Sequence, residues 1–124
     1  MNFYKCDHCG KIIVMMEDIK VPTVCCGEKM HLMEPQSADM ANEKHVPVVE
    51  QEGNNVKVYV GSTEHPMMEK HYIQWIILET TEGFYKKDLK PEMKPEVRFT
   101  LQDGEKITAA YEHCNLHGLW INRL

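Results

Sequence analysis

Cysteine and histidine are concentrated at a few places along this 124-residue chain, and both residue types bind soft and borderline transition metals. Four of the five cysteines lie in the first quarter of the sequence, in the motifs "CDHC" and "CCG". The fifth, Cys114, lies near the other end between two histidines, in "YEHCNLHGLW". The chemistry that these residues indicate is therefore metal binding, at two places that are far apart in sequence.

The first candidate site consists of Cys6, Cys9, Cys25 and Cys26. The two-residue gap in "CDHC" is typical of a metal-binding turn, and four thiolates fit a tetrahedral iron or zinc. Disulfides or buried free thiols are the alternative, but a reducing compartment disfavours disulfides. Cys25 and Cys26 are adjacent, and adjacent Cα atoms lie only about 3.8 Å apart, so both cannot adopt relaxed ligand geometry. We therefore predict a distorted tetrahedron. His8 lies inside the motif and is predicted to be a solvent-facing loop residue.

The second candidate site is built from histidines that lie in loop-like segments, together with the last cysteine. His113 precedes Cys114 on a predicted strand, so its side chain should point to the opposite face, and we leave it out of the site. Five protein ligands are more than a structural zinc normally takes, and they fit an iron with one open position. The candidate ligands are His45, His65, His71, Cys114 and His117.

The elements that must position these residues divide the chain into two predicted domains, residues 1–36 and 37–124. Residues 1–34 contain little to build a core, and a unit this small needs a metal or another covalent constraint to fold. Residues 35–42, "PQSADMAN", begin with proline and are predicted to be a linker.

The rest of the chain has the pattern of an all-β protein, a sandwich or barrel of about seven strands. The valines of "VKVYV" alternate with longer side chains, as expected of a half-buried strand. In "HYIQWIILETTEGFYKKDL" we predict two paired strands, with Ile73, Trp75 and Ile77 on one face. The "DG" of "VRFTLQDGEKITAAYEHC" predicts a hairpin, and "LWINRL" a closing strand.

Composition narrows the range of partners and compartments. A formal net charge of −5 without a basic stripe argues against nucleic acid as a partner. No apolar run is long enough to span a bilayer, so we expect no membrane association. The first residues lack the apolar core and cleavage site of a secretory signal, and we expect a cytoplasmic protein.

Taken in order, "YKCDHCGKIIV", "CCGEKM", "EKHVP", "EHPMMEKHYIQWI" and "HCNLHGLW" resemble the desulfoferrodoxin family, the two-iron class of superoxide reductase, over essentially the whole chain. The resemblance implies a desulforedoxin-like N-terminal domain with a rubredoxin-like iron on the four clustered cysteines. It implies a neelaredoxin-like, immunoglobulin-like β-sandwich for the remainder, with a catalytic iron. The implied ligands of that iron are an axial Cys114 and four equatorial histidines, His45, His65, His71 and His117. The family also implies a homodimer.

The resemblance further implies a reaction, the one-electron reduction of superoxide to hydrogen peroxide with electrons from a donor such as rubredoxin. This activity would detoxify superoxide in an anaerobe or microaerophile. Lys44 would attract superoxide and order the water that supplies protons, and Glu43 would occupy the sixth position on ferric iron after the product leaves. On residue type alone, this Glu-Lys pair could equally be a solvated surface pair. Lys70 is a weaker candidate for the positive charge that attracts superoxide.

Other residues near the ligands have ordinary explanations. Trp75 and Trp120 are predicted to be core residues first, and Met67 and Met68 to form an apolar wall. Three other functions remain open: an electron-transfer protein with no substrate at the second iron, a structural protein with zinc at both sites, and a superoxide dismutase.

Overall fold

The computed structural model describes residues 1–37 and 44–124, and all regular secondary structure among these residues is β-strand. Two compact units are present, Met1–Glu34 and Pro35–Leu124. The all-β class that the sequence predicts is therefore confirmed. Among the described residues no helix is long and apolar enough to cross a membrane.

The N-terminal unit is a pair of very small antiparallel sheets. One sheet has the order β2-β1-β5, and the other is the hairpin β3-β4. Its buried apolar side chains among the described residues include only Phe3, Cys6 and Met30. Because so little apolar area leaves water, this unit depends on another source of stability. The strands are β1 Phe3–Lys5, β2 Ile12–Val14, β3 Val24–Cys25, β4 Glu28–Lys29 and β5 His31–Leu32.

The second unit is a two-sheet β-sandwich of seven strands, in agreement with the predicted number. A three-stranded sheet has the order β10-β7-β6, and a four-stranded sheet has the order β12-β11-β8-β9. All the strand pairs in both sheets are antiparallel. The strands are β6 Val48–Glu52, β7 Asn55–Tyr59, β8 Ile73–Thr80, β9 Gly83–Asp88, β10 Glu96–Thr100, β11 Ile107–Cys114 and β12 Gly118–Arg123.

The core of the sandwich lies between the two sheets. The alternation predicted for "VKVYV" is confirmed, since Val56, Val58 and Val60 are all buried in this core. From the larger sheet it receives Ile76, Leu78 and, at the end of β11, Cys114. One candidate ligand is thus part of the hydrophobic core.

The predicted hairpin around "DG" is wrong. Strand β10 pairs with β7 in one sheet, whereas β11 pairs with β8 and β12 in the other, so the turn carries the chain between the sheets. The buried carboxylate of Glu105 stabilises this turn. It accepts hydrogen bonds from the hydroxyl of Thr80, from the Tyr85 hydroxyl at 2.7 Å and from the backbone N–H of Gln102 at 2.9 Å.

The prediction that Ile73, Trp75 and Ile77 share one face is also wrong, because a β-bulge interrupts the pairing of β8 with β11. His113 pairs with Trp75 but Cys114 pairs with Ile73, so Gln74 is an extra residue. The bulge turns Ile73 into the sandwich core. Bulges of this kind are common beside functional sites, where they redirect a side chain.

Candidate metal centres

The four clustered cysteines of the N-terminal unit come together at one end of its sheets. Their sulfur atoms all lie within 4.8 Å of one another. The Sγ atoms of Cys9 and Cys25 are 3.7 Å apart, and those of Cys25 and Cys26 are 4.0 Å apart. A tetrahedral ion with metal–sulfur bonds of about 2.3 Å requires sulfur separations of about 3.8 Å. The sulfur set therefore fits a four-thiolate metal ion.

The surroundings of this cluster favour a thiolate at Cys6, whereas hydrogen bonds with the sulfurs of Cys9 and Cys6 raise the pKa of Cys25 to about 12. Backbone N–H groups, first that of Cys9 and also that of His8, lower the pKa of the Cys6 thiol to about 6. The adjacent pair is accommodated by an unusual backbone, since Cys26 has a φ of 54°. His8 is exposed and its Nε2 lies 3.1 Å from a carboxylate oxygen of Glu28. The sulfurs, and not this imidazole, form the metal cluster.

The second cluster is a closed set of four imidazoles around one point. Neighbouring ring centroids are 5.0 Å apart for His45 and His65, 4.7 Å for His65 and His71, 5.1 Å for His71 and His117, and 4.9 Å for His117 and His45. Each pair of neighbouring rings is close to perpendicular, with interplanar angles from 69° to 81°. Four rings in this order present their nitrogen atoms to a common centre.

The imidazoles and the thiolate come from four different segments of the sandwich. His45 lies in the turn that precedes β6, and the loop between β7 and β8 contains both His65 and His71. Cys114 is the last residue of β11, and His117 lies in the turn to β12. The ligating atoms of all five lie within 4.8 Å of one another. Loops on a rigid β-scaffold thus build this site.

Two of the imidazoles have the unpartnered nitrogen atoms that a bound metal ion would require. The Nε2 atoms of His65 and His71 are buried and have no hydrogen-bond partner among the described residues. The Nε2 of His45 lies 3.1 Å from the Nδ1 of His117. That distance is close to the roughly 3.0 Å expected between neighbouring nitrogens bound at about 2.1 Å in a square plane. A metal ion would satisfy the unpartnered nitrogens.

The protonation state of His65 also suits a ligand. Desolvation lowers its pKa to about 4, so the ring is neutral at pH 7. Its Nδ1 lies 2.7 Å from the carbonyl oxygen of Pro66. When this nitrogen carries the proton, it donates to that carbonyl and leaves the lone pair of Nε2 for a metal. Desolvation likewise lowers the pKa of His71.

The thiol of Cys114 is buried beside the four imidazoles, with its Sγ 3.8 Å from the Nδ1 of His117. Burial raises its pKa, whereas backbone hydrogen bonds from Leu116 and His117 act in the opposite direction. These two N–H groups are donors for a negatively charged sulfur. A bound cation would supply the remaining stabilisation that a buried thiolate at Cys114 needs.

Part of the site faces solvent. His117 and Lys44 are exposed, and the charge of Lys44 contributes to lowering the pKa of His71, after desolvation and the neighbouring imidazoles. Five protein ligands leave one position of an octahedron open. The arrangement can therefore admit a small molecule from solvent.

The structure also places the other predicted residues. Glu43 lies outside the described residues. His113 lies on the far face of β11, where its ring stacks on Trp75 with centroids 5.4 Å apart. Lys70 is exposed, as is Met68, which is 61% accessible. Met67 packs against the sandwich core.

Sequence reasoning missed Asn115, which connects two ligand segments. Its backbone N–H donates to the carbonyl of Tyr72, and its Oδ1 accepts the N–H of that residue at 2.9 Å. Its Nδ2 donates to the carbonyl of Lys70 at 3.0 Å. These bonds lie on both sides of His71 and fix it relative to Cys114. An asparagine in a tight turn is a known signal of side-chain bonds to backbone.

Comparisons with known proteins identify a family that matches nearly the whole chain. The family model described as desulfoferrodoxin matches residues 37–123, and the model of the desulfoferrodoxin N-terminal domain matches residues 1–33. A desulfoferrodoxin of Nitratidesulfovibrio vulgaris is 50% identical over 119 residues, which are 96% of this chain and 93% of that protein.

Two solved structures of superoxide reductases are also similar to this chain. The superoxide reductase of Treponema pallidum is 36% identical with a TM-score of 0.84, covering 98% of this chain and 97% of its own. A one-iron superoxide reductase of Giardia intestinalis is 39% identical with a TM-score of 0.56. This similarity covers 66% of the present chain and 97% of the Giardia chain.

Proposed function

The chain belongs to the desulfoferrodoxin family, and from this premise together with the four-histidine, one-cysteine site we infer that it is a superoxide reductase. The reaction consumes one superoxide, one electron and two protons and yields one hydrogen peroxide. The observation that carries the conclusion is the closed set of four imidazoles beside the buried Cys114, with His117 exposed to solvent.

The cofactors are two iron ions for each chain, one at each cluster. When bound at the second cluster, ferrous iron supplies the electron and the open position at which superoxide is reduced. We propose that four histidines and one cysteine would hold that iron: His45, His65, His71, His117 and Cys114. We propose that Cys6, Cys9, Cys25 and Cys26 hold the rubredoxin-like iron.

The protein's own residues prepare the site for an anionic substrate. The exposed ammonium of Lys44 provides a local positive field on a chain whose formal net charge is −5. We propose that Lys44 attracts superoxide and orders the water that supplies the two protons. Desolvation keeps His65 neutral, and the buried sulfur of Cys114 would donate electron density to a bound iron. Glu43 remains a predicted occupant of the open position after product release.

The substrate is superoxide, and turnover requires an external electron donor. We propose that this donor is rubredoxin or a protein like it. Leu116 precedes His117, and Met68 lies between His65 and His71 in sequence. The two side chains are 60% and 61% accessible and offer apolar contacts for such a protein. We also propose a homodimer, supported by the exposed apolar residues Met16 and Ile19 of the N-terminal unit, and a cytoplasmic location.

We propose two domains with separate metal sites, residues 1–36 and 37–124. The matched ranges of the two family models, residues 1–33 and 37–123, support this division.

The test is the yield of hydrogen peroxide for each superoxide consumed by the anaerobically reduced, iron-loaded protein. We expect one peroxide for each superoxide, together with oxidation of the histidine–cysteine iron. Half that yield, with evolution of oxygen, would instead mean dismutation. No reaction would mean that the second iron is an electron relay with no substrate position.

A further inference from the structure

We propose that Trp120 and Gln36 are positioning residues of the second metal site, and that together they fix His117 and His45. This inference rests on the proposed assignment of those two histidines as iron ligands. It concerns contacts that lie behind the ligands, on the backbone carbonyl of His117 and on the ring of His45.

The carbonyl oxygen of His117 receives two side-chain donors. The indole N–H of Trp120 donates to it at 3.1 Å, and the amide Nε2 of Gln36 donates to it at 2.8 Å. The next residue, Gly118, has a φ of +83°, a conformation that a residue with a side chain rarely adopts. The peptide group that follows His117 is thus fixed by two hydrogen bonds at a position where the backbone turns sharply.

The same indole also contacts a second ligand. Its ring is stacked on the imidazole of His45, with centroids 4.6 Å apart and an interplanar angle of 16°. Only 5% of the surface of Trp120 is exposed, so the indole is held firmly by its surroundings. One buried side chain, Trp120, therefore limits the rotation of His45 and orients the backbone of His117. These two histidines are neighbours in the four-histidine set.

Gln36 is itself held in place by strand β12. Its backbone N–H donates to the carbonyl of Leu119 at 3.0 Å, and its carbonyl accepts the N–H of Ile121 at 2.8 Å. These bonds form a parallel bridge opposite Trp120. The amide of Gln36 thus reaches His117 from a fixed point on the backbone, as a positioning contact requires.

The need for such contacts follows from exposure. His65 is only 2% exposed and its ring contacts the Pro66 carbonyl, whereas His117 is an exposed residue in a turn. Burial alone does not fix the imidazole of His117. Contacts behind metal ligands commonly control affinity for the metal.

The experiment compares iron release from the second site in four variants of the full chain: Trp120→Phe, Trp120→Leu, Gln36→Leu and the double variant Trp120→Phe with Gln36→Leu. Trp120→Phe keeps a stacked ring but loses the N–H donor, and Gln36→Leu loses the amide donor. Each oxidised, iron-loaded protein is mixed with excess chelator. The loss of the thiolate-to-iron charge-transfer absorption of the histidine–cysteine site is then followed over time.

We expect the double variant to release iron about 10- to 100-fold faster than the parent protein, with each single variant between them. The charge-transfer band and the electron paramagnetic resonance spectrum of this site should shift in the same order. Trp75→Phe is the matched control, because Trp75 stacks on His113, which is not in the ligand set. It should leave both the release rate and the spectra unchanged.

The inference is overturned if the double variant and Trp120→Leu both keep the parent's release rate and spectrum. That result would reduce Trp120 to a packing residue and give Gln36 no role. None of these measurements uses superoxide. A failure here is therefore distinguishable from a failure of the proposed activity, which the peroxide yield of the unmodified protein tests separately.

Discussion

A carboxyl group in the core of the sandwich predicts an unusual gain in stability on mutation. Glu112 lies on β11 opposite Ile76 of β8 and Trp120 of β12. It is 0% exposed, and neither carboxyl oxygen has a hydrogen-bond partner among the described residues. Burial raises the pKa of this carboxyl well above its usual range, so the neutral form is favoured. A polar group in this situation is destabilising.

The expected magnitude follows from the cost of burying such a group. An unpartnered polar group in a protein interior costs about 1–3 kcal/mol. Glu112→Met has nearly the same length and no group that requires a hydrogen bond. We therefore expect this variant to raise the free energy of unfolding by about 1–3 kcal/mol. That is a large part of the roughly 5–15 kcal/mol that stabilises an ordinary domain.

The assay is urea unfolding followed by tryptophan fluorescence, with chelator and reductant present so that metal affinity does not contribute. Both tryptophans, Trp75 and Trp120, lie in the sandwich, so the signal reports on this unit. The control is Glu112→Gln, which keeps the length and an unpartnered polar group and should show no comparable gain. A Glu112→Met protein that is less stable than the parent, at an unchanged urea dependence, would refute the reasoning.

Three further predictions concern charge and the first iron. Lys44→Ala should slow the second-order reaction with superoxide by about tenfold and weaken its dependence on salt; an unchanged rate and salt slope would remove Lys44 from the mechanism. Cys9→Ser should alter the four-thiolate absorption and leave superoxide reduction intact; loss of activity with the second iron still loaded would contradict this. Asp18 accepts hydrogen bonds from Asn2 at 2.7 Å and Lys20 at 3.0 Å, and mainly the Lys20 bond lowers its pKa. Because the folded pKa lies below the unfolded value of about 3.9, this stabilisation is present above that pH and is lost in more acid solution. Asp18→Asn should therefore lower the melting temperature of the N-terminal unit at pH 7, and the difference from the parent should shrink as the pH falls to 3; a difference independent of pH would count against the ion pair.

The residues that could hold metal could be predicted from sequence because the signal is chemical and local. Four thiols in two short motifs have few other uses in a reducing compartment. The pairing of strands is a different matter. The "DG" turn has the sequence of a hairpin, but the partner of β10 is β7, which lies some forty residues earlier in the chain. Local turn chemistry does not reveal whether the next strand stays in the same sheet.

A single extra residue in β8 explains why the face of Ile73 was also predicted wrongly. Period-two alternation holds only while the pairing register is unbroken, and the bulge at Gln74 changes the face of every residue before it. The bulge that caused this wrong prediction lies beside the second metal site. The bulge lies three residues after His71 and opposite the end of β11. At that end, Cys114 is followed by the turn that contains His117. A regular strand would have placed Ile73 on the outer face and Gln74 opposite Cys114.

The residues that orient the ligands were the least visible from sequence, and the reason is physical. Asn115, Gln36 and Trp120 act on backbone groups, through bonds to the carbonyls of Lys70 and His117. Every residue has a backbone carbonyl, so no sequence motif indicates which carbonyl will accept such a bond. Gln36 lies 81 positions from His117 and reaches it only because it bridges β12. Residue types in the sequence therefore identify the candidate ligands of a metal site. The residues that hold those ligands in position depend on strand register, which only the folded chain determines.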